Sequence, residues 1–190
     1  KQERSFHIID SLGREVFFEN YPERIVISGI QTPMLIDFYY LFPGAGEKLF
    51  AVENRVQTTR EFILLIDPSI EKKMMLEKGA GVEQIAPLKP DLILMKDVMR
   101  DTVGKKLEEI GQNVVYLNFE TIQRIQNDIL ILGKILNQVS RAEEINSQIS
   151  LKMQEATEIV GGLSKKPTVL ILQYSVQSGE PVFKVPSSDW

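Results

Sequence analysis

Short apolar segments of the kind found in buried β-strands alternate with helical patterns through the first two thirds of the chain, and this alternation constrains the fold most. The strand candidates are residues 24–27, 48–52, 91–95 and 113–117. Between them apolar residues recur at helical spacing, with Pro33 opening one helix and Gly111 ending another. The pattern predicts an α/β, Rossmann-like lobe around a central parallel sheet, with ligand sites in loops at the carboxyl ends of its strands.

The two ends of the chain add a hairpin and a pair of helices. Residues 6–9 and 16–18 are β-type runs on either side of a turn that contains Gly13. Apolar stripes predict helices over residues 122–136 and 140–160. At 1.5 Å per residue the second helix is roughly 30 Å long, about the width of a domain. Such a helix is long enough to connect two lobes.

These elements predict four segments along the chain. They are an N-terminal hairpin at 1–20, an α/β lobe at 21–138, a connecting helix at 139–162 and the start of a second lobe at 163–190, opened by a strand at 168–172. The chain stops before that second lobe could bury a core, so we expect truncation. A truncated chain with one exposed cleft face is expected to bind ligand weakly or to dimerise.

The amino-acid composition argues against several kinds of catalytic, metal and nucleic-acid-binding site. The chain has no cysteine and one histidine, His7, which argues against zinc sites, cysteine nucleophiles and Ser-His-Asp catalysis. A net charge of −4 disfavours nucleic acid, and no apolar run approaches the roughly 20 residues of a membrane span. Phosphate-loop, dinucleotide, HExxH and GxSxG motifs are missing from the sequence. We therefore expect a protein that is not an enzyme, with no cofactor and no metal ligands of its own.

Polar residues at strand ends are the best binding candidates. Gln31 and Thr32 follow the strand at 24–27, while Lys96, Asp97 and Arg100 follow the strand at 91–95. Lys96 and Arg100 could neutralise an anionic ligand, although the spacing alone favours ordinary solvated loop charges. Arg60, in the irregular middle segment, has the same two interpretations.

Glu83 stands at the start of a short helix predicted over residues 82–86. A carboxylate there is favoured by the helix dipole by a few tenths to about 1 kcal/mol, which is a sufficient structural explanation. From the residues alone, this structural role is preferred to a functional one.

Three ordered motifs resemble a known family. They are Asp-Ser-Leu-Gly-Arg-Glu-Val at 10–16, Pro-Glu-Arg-Ile-Val at 22–26, and Gly-Val-Glu-Gln-Ile-Ala-Pro-Leu-Lys-Pro-Asp-Leu-Ile at 81–93. Their order and spacing resemble the periplasmic substrate-binding proteins of ABC importers for ferric siderophores, haem and cobalamin. The resemblance implies two α/β lobes joined by a rigid helix, here residues 140–160, with an iron complex held between them. It also implies an extracytoplasmic location, with a lipid anchor possible in the full-length form, and an ABC permease as partner.

The resemblance also implies residue roles. The loop at 28–32 and the pair Lys96 and Asp97 match ligand-contacting loops, and Tyr174 is a second-lobe candidate. Glu83 matches a glutamate that docks onto arginines of the permease. The second docking glutamate has no counterpart before the chain ends. The alternatives are a cobalamin or other metal-chelate binder of the same family, or a small α/β enzyme or adaptor from outside it.

Overall fold

Five parallel strands form the central sheet of the computed structural model, which describes residues 5–54, 61–165, 168 and 170–185. The strands are β1 Phe6–Ile9, β2 Glu15–Phe18, β3 Ile25–Ile27, β4 Leu49–Glu53, β5 Met74–Leu76, β6 Leu92–Lys96, β7 Val114–Leu117, β8 Gln173–Gln177 and β9 Glu180–Lys184. The helices are α1 Thr32–Tyr39, α2 Ala45–Lys48, α3 Glu61–Ile66, α4 Val82–Ile85, α5 Lys105–Glu109, α6 Ile122–Ile135 and α7 Val139–Gly161. The predicted α/β class with a parallel sheet is confirmed.

The strand order in this sheet is β5-β4-β3-β6-β7. Successive connections therefore run in one direction from β3 to β5 and in the other from β6 to β7. The direction reverses between β3 and β6, where Ile25 pairs with Leu92 and Ile27 with Leu94. In doubly wound sheets the loops diverge at such a reversal and leave a crevice at the carboxyl ends of the strands.

Both faces of the sheet are covered, which explains why its central strands were recognisable in the sequence. Every residue of β3 and β6 is buried. Val26, Ile93 and Met95 lie in one core cluster with Leu107 and Ile85, while α1 packs against β3 and β6. Strands buried on both faces have continuous apolar sequences rather than alternating ones. The predicted strands at 24–27 and 91–95 are of this type.

The N-terminal hairpin is tied to the edge strand β7. The Asp10 carboxylate accepts hydrogen bonds at 3.0 Å from the backbone N–H groups of Leu12 and Arg14. The Arg14 guanidinium donates to the Val114 carbonyl at 2.6 Å and lies 4.4 Å from the centroid of the Tyr116 ring. The motif at residues 10–16 is therefore a turn whose aspartate and arginine fasten the hairpin to the sheet.

Two strand assignments differ from the sequence prediction. The edge strand β5 was not predicted, because two of its three residues, Met74 and Met75, are exposed and it lacks a buried-strand pattern. The strand predicted at 168–172 is wrong: its described residues, 168 and 170–172, are not in a strand. The strand begins instead at Gln173 and pairs with β9 across a tight turn in which Ser178 and Gly179 adopt positive φ.

The chain divides into two compact units, one ending at Asn146 and the other beginning at Ser147. The first contains the N-terminal hairpin and the central sheet, and the second contains the β8–β9 hairpin. The finer boundaries at 1–20, 21–138, 139–162 and 163–190 stay a prediction. None of the helices in the described ranges combines the length and apolar character needed to cross a bilayer.

Candidate functional site

The loops that follow β3, β6 and β7 lie at the carboxyl ends of the strands around the strand-order reversal, where a crevice is expected, and are called the crevice loops below. Beyond Ile27, Ser28 still donates its backbone N–H to the Leu94 carbonyl at 3.1 Å. The Met99 side chain lies against Gly29, where a Cβ would be 2.8 Å from the Met99 Cγ. Gly29 also has φ +103, a conformation that other residues rarely adopt. Glycine is therefore required here both for the backbone turn and for the packing of Met99.

Glu53, at the end of β4, holds the loop after β3 in place through hydrogen bonds. Its side chain is buried and accepts hydrogen bonds from the Ser28 hydroxyl at 2.7 Å and the Gly29 backbone N–H at 2.6 Å. Its other oxygen accepts from the Gly79 N–H at 2.7 Å, in the loop after β5. One carboxylate thus joins the loops at the ends of three neighbouring strands.

Lys96, the last residue of β6, is directed into the protein. It is 1% exposed and donates to the Asn118 carbonyl and to the Glu120 carboxylate, the latter at 2.6 Å. The ammonium group is therefore bound by the loop after β7. Lys96 is therefore not the ordinary solvated loop charge that the spacing alone favours, and its role in ligand binding stays a prediction.

The other two charged candidates after β6 are also paired. Asp97 accepts a hydrogen bond from the Asn118 side-chain amide at 2.5 Å and lies 3.7 Å from the Arg124 guanidinium. Arg100 donates to Glu108 at 3.3 Å. Although partial burial acts to raise it, hydrogen bonds from Tyr116 and Arg100 hold the pKa of Glu108 below its ordinary value. These contacts orient the segment that follows β6.

Asp128, on α6, supports the loop after β7. It is completely buried and accepts from the backbone N–H groups of Asn118 at 2.6 Å and Phe119 at 2.8 Å. It also accepts a hydrogen bond from the Ser11 hydroxyl in the hairpin turn. Burial raises the pKa of Asp128, and these hydrogen bonds and nearby Lys96 act against that rise. The Phe119 ring in turn stacks on Phe38 of α1 at 4.2 Å, so the loop is held on both sides.

Five residues of the first unit were predicted to bind the ligand, and they differ in exposure and in hydrogen-bond partners. Gln31 is exposed in the loop after β3, with φ 54. Thr32 is buried and donates its hydroxyl to the Gly29 carbonyl at 2.7 Å, so it shapes the loop. Lys96, Asp97 and Arg100 follow the neighbouring strand, in the paired states described above. Their roles in ligand binding stay predictions.

The other two predicted ligand residues, Arg60 and Tyr174, are not among the described residues of the first unit. Arg60 is outside the described residues. Tyr174 belongs to the second unit, where it is exposed on β8 with its ring 5.4 Å from that of Phe183. Both assignments stay predictions.

Sequence reasoning missed the two buried carboxylates that hold the crevice loops. Asp128 had a usable signal, because it falls beside Ile125 and Ile129 in the apolar stripe of α6. A charged residue inside such a stripe indicates a buried group with dedicated partners. Glu53 had only a weak signal, since it directly follows an apolar strand. In the ranges that the structure describes, histidine and acidic side chains form no group of three able to hold a metal ion.

Glu83 is exposed in the first turn of α4. Its carboxylate folds back over the backbone of Gly81, where a Cβ would be 2.6 Å from both carboxylate oxygens. This position at the start of the helix is the one at which the helix dipole favours a carboxylate. The side chain is nevertheless accessible from outside.

The chain is similar to proteins of known fold and family. Residues 65–186, nearly two thirds of the chain, match the profile of the family described as "Periplasmic binding protein". Among curated proteins, the high-affinity heme uptake system protein IsdE of Staphylococcus aureus (strain Newman) is 25% identical over 92 residues, 48% of this chain and 32% of that protein.

Solved structures share the architecture over most of the chain. A periplasmic solute binding protein from Veillonella parvula DSM 2008 has a TM-score of 0.74 at 25% identity, covering 88% of this chain and 52% of that one. The siderophore binding protein BauB, solved with two molecules of acinetobactin and ferric iron, has a TM-score of 0.63 at 16% identity and shows the fold alone. It covers 89% of this chain and 58% of that one. The chain thus spans about half the length of these two structures.

Proposed function

Because the chain belongs to the periplasmic binding protein family, we propose that it is an extracytoplasmic solute-binding protein that captures an iron complex and delivers it to an ABC importer. The iron complex is a ferric siderophore or haem. The partner is the permease of the importer, and the chain contributes binding rather than catalysis.

The observation that carries this proposal is the set of buried hydrogen bonds that hold the loops around the strand-order reversal. Three buried polar side chains, Glu53, Lys96 and Asp128, form hydrogen bonds to the crevice loops or to the turns that support them. Interactions of this kind hold a loop in one conformation before a ligand arrives, which reduces the entropic cost of binding. A preformed binding surface suits a protein that captures a solute.

The ligand class is supported by the relatives. IsdE is described as a heme uptake protein and BauB as a siderophore binding protein. Cobalamin or another metal chelate is the alternative within the family. An α/β enzyme or adaptor is the alternative outside it, and the paired state of Lys96, Asp97 and Arg100 weakens it, because these groups are engaged with protein partners.

We expect saturable one-to-one binding of at least one iron chelate. The test titrates the protein with haemin, ferrichrome, ferric enterobactin and cyanocobalamin by isothermal titration calorimetry, with the Soret band as a second readout for haemin. The iron-free siderophores serve as controls for non-specific association. No saturable binding to any of the four compounds contradicts the proposal, and saturation with cyanocobalamin alone favours the alternative ligand.

For the permease, we expect the substitution Glu83→Arg to weaken docking about tenfold or more while leaving chelate affinity unchanged. Reversing a charge at a polar interface replaces attraction by repulsion. Docking is measured with the permease in nanodiscs by surface plasmon resonance. Glu19→Arg, at another exposed position, is the matched control. Equal docking by both variants contradicts the role of Glu83.

A further inference from the structure

Two of the three sequence motifs are hydrogen-bonded to each other just before the central strands begin. The Asp91 carboxylate accepts from the backbone N–H groups of Glu23 at 3.0 Å and Arg24 at 2.9 Å. The Asp91 N–H donates in turn to the Arg24 carbonyl at 2.9 Å. The segment that enters β6 is therefore fastened to the segment that enters β3.

The Arg24 side chain extends this connection to the turn that follows α4, the helix that carries Glu83. Its Nε donates to the Leu88 carbonyl at 2.7 Å, and its guanidinium carbon lies 3.1 Å from the centroid of the Phe50 ring on β4. A planar guanidinium that both donates to a carbonyl and stacks on an aromatic ring has a defined position. Arg24 therefore fixes the backbone at Leu88.

The segment between α4 and β6 depends on such contacts. α4 has four residues, too few to be stable as an isolated helix. Ile85 is completely buried, and Leu88 packs on the same core cluster as Phe50. Lys89 is exposed at φ 50, a left-handed conformation that a lysine adopts only where its surroundings determine it. Apolar contacts thus hold one face of this segment, and Arg24 holds its end.

We propose that Arg24 is a positioning residue of the permease-docking surface, because it holds α4 and the turn after it in the conformation that presents Glu83. The inference rests on the proposed docking role of Glu83 and goes beyond it. Without Arg24 this segment would have to be ordered when the permease binds, and that ordering reduces affinity. Arg24 precedes β3 and so lies at the end of that strand opposite to the crevice loops. Its effect is therefore on docking and not on chelate binding.

The variant Arg24→Lys tests this role, because lysine keeps the charge and lacks the planar guanidinium that stacks on Phe50. We expect docking to the permease in nanodiscs to weaken about three- to tenfold, the effect of having to order one such side chain on binding. Affinity for the chelate that saturates the wild-type protein in the titration above is expected to be unchanged. Arg14→Lys is the matched control, since the Arg14 guanidinium also donates to a backbone carbonyl and lies over an aromatic ring. It is expected to leave docking unchanged.

A double-mutant cycle with Glu83→Ala shows whether Arg24 acts through Glu83. We expect Arg24→Lys to weaken docking much less in the Glu83→Ala background, because the side chain that Arg24 positions is then missing. Hydrogen exchange gives a second readout. The amide of Lys89, which donates to the Ala86 carbonyl at 3.0 Å, is expected to exchange faster in Arg24→Lys than in Arg14→Lys.

The outcomes distinguish the inference from the proposed function. Wild-type docking by Arg24→Lys, with weak docking by Glu83→Ala, overturns the inference and leaves the role of Glu83 standing. Equal losses of docking in Arg24→Lys and Arg14→Lys, a parallel loss of chelate affinity, or additive effects in the cycle do the same. Wild-type docking by Glu83→Ala overturns the docking role of Glu83 and the inference with it. If circular dichroism shows that Arg24→Lys does not fold, Phe50→Leu decides by the same criteria, because it removes the ring beside the guanidinium and keeps an apolar side chain.

Discussion

Replacing Glu53 by alanine is expected to lower the free energy of unfolding by about 3–5 kcal/mol, a large share of the roughly 5–15 kcal/mol of a typical domain. The change removes the acceptor of three hydrogen bonds, from the Ser28 hydroxyl and the N–H groups of Gly29 and Gly79. Unpaired buried donors cost about 1–3 kcal/mol each before the structure relaxes. Chelate affinity is expected to fall as well, because the loop after β3 loses its support.

Urea denaturation measures the stability change, and hydrogen exchange at the Gly29 and Gly79 amides locates it. Glu53→Gln keeps one acceptor oxygen and is expected to be intermediate, since its amide N–H₂ cannot accept from the remaining donor. Glu71→Ala, at an exposed glutamate, is the control and is expected to change stability by less than about 0.5 kcal/mol. A Glu53→Ala variant as stable as this control would show that Glu53 does not hold the three loops.

The central sheet was predictable because its strands are buried on both faces. Such strands appear as unbroken apolar runs, as in β3, β6 and β7. The edge strand β5 lacks this pattern, since Met74 and Met75 are exposed. The last predicted strand was misplaced for a different reason. The prediction used the apolar run before Gln173 and not the turn at Ser178 and Gly179, which fixes the register of the β8–β9 hairpin.

The arrangement of the loops after β3 and β6 at one edge of the sheet followed from the alternation of strands and helices, but the electrostatics of these loops did not. Lys96 donates to the Asn118 carbonyl and the Glu120 carboxylate, 22 and 24 positions further along the chain. Glu53 accepts from donors 24 to 26 positions away. Those pairs exist only because parallel strands bring their carboxyl ends to one edge of the sheet. A sequence pattern records local spacing, so it identified the charged residues without their partners.

The substitution Asp128→Ala is expected to be as damaging as Glu53→Ala, at about 3–5 kcal/mol of unfolding free energy. It removes the acceptor for the backbone N–H groups of Asn118 and Phe119 and for the Ser11 hydroxyl. The Asn118 carbonyl also accepts a hydrogen bond from the Lys96 ammonium, so displacing this loop disturbs the binding of that cation. Weaker haemin binding is therefore expected even without denaturant, where the variant stays folded.

A double-mutant cycle tests whether the hairpin turn and the loop after β7 are stabilised together through Asp128. Ser11→Ala alone removes the link from the hairpin turn and leaves the backbone N–H groups of the β7 loop paired with Asp128. We expect a coupling energy between Ser11 and Asp128 of about 0.5–3 kcal/mol, because the two side chains are in direct contact. Asp101→Ala, at an exposed carboxylate paired with Lys105, is the control and is expected to show no coupling to Ser11→Ala. Additive effects of Ser11→Ala and Asp128→Ala would mean that the hairpin and the crevice loop are stabilised independently.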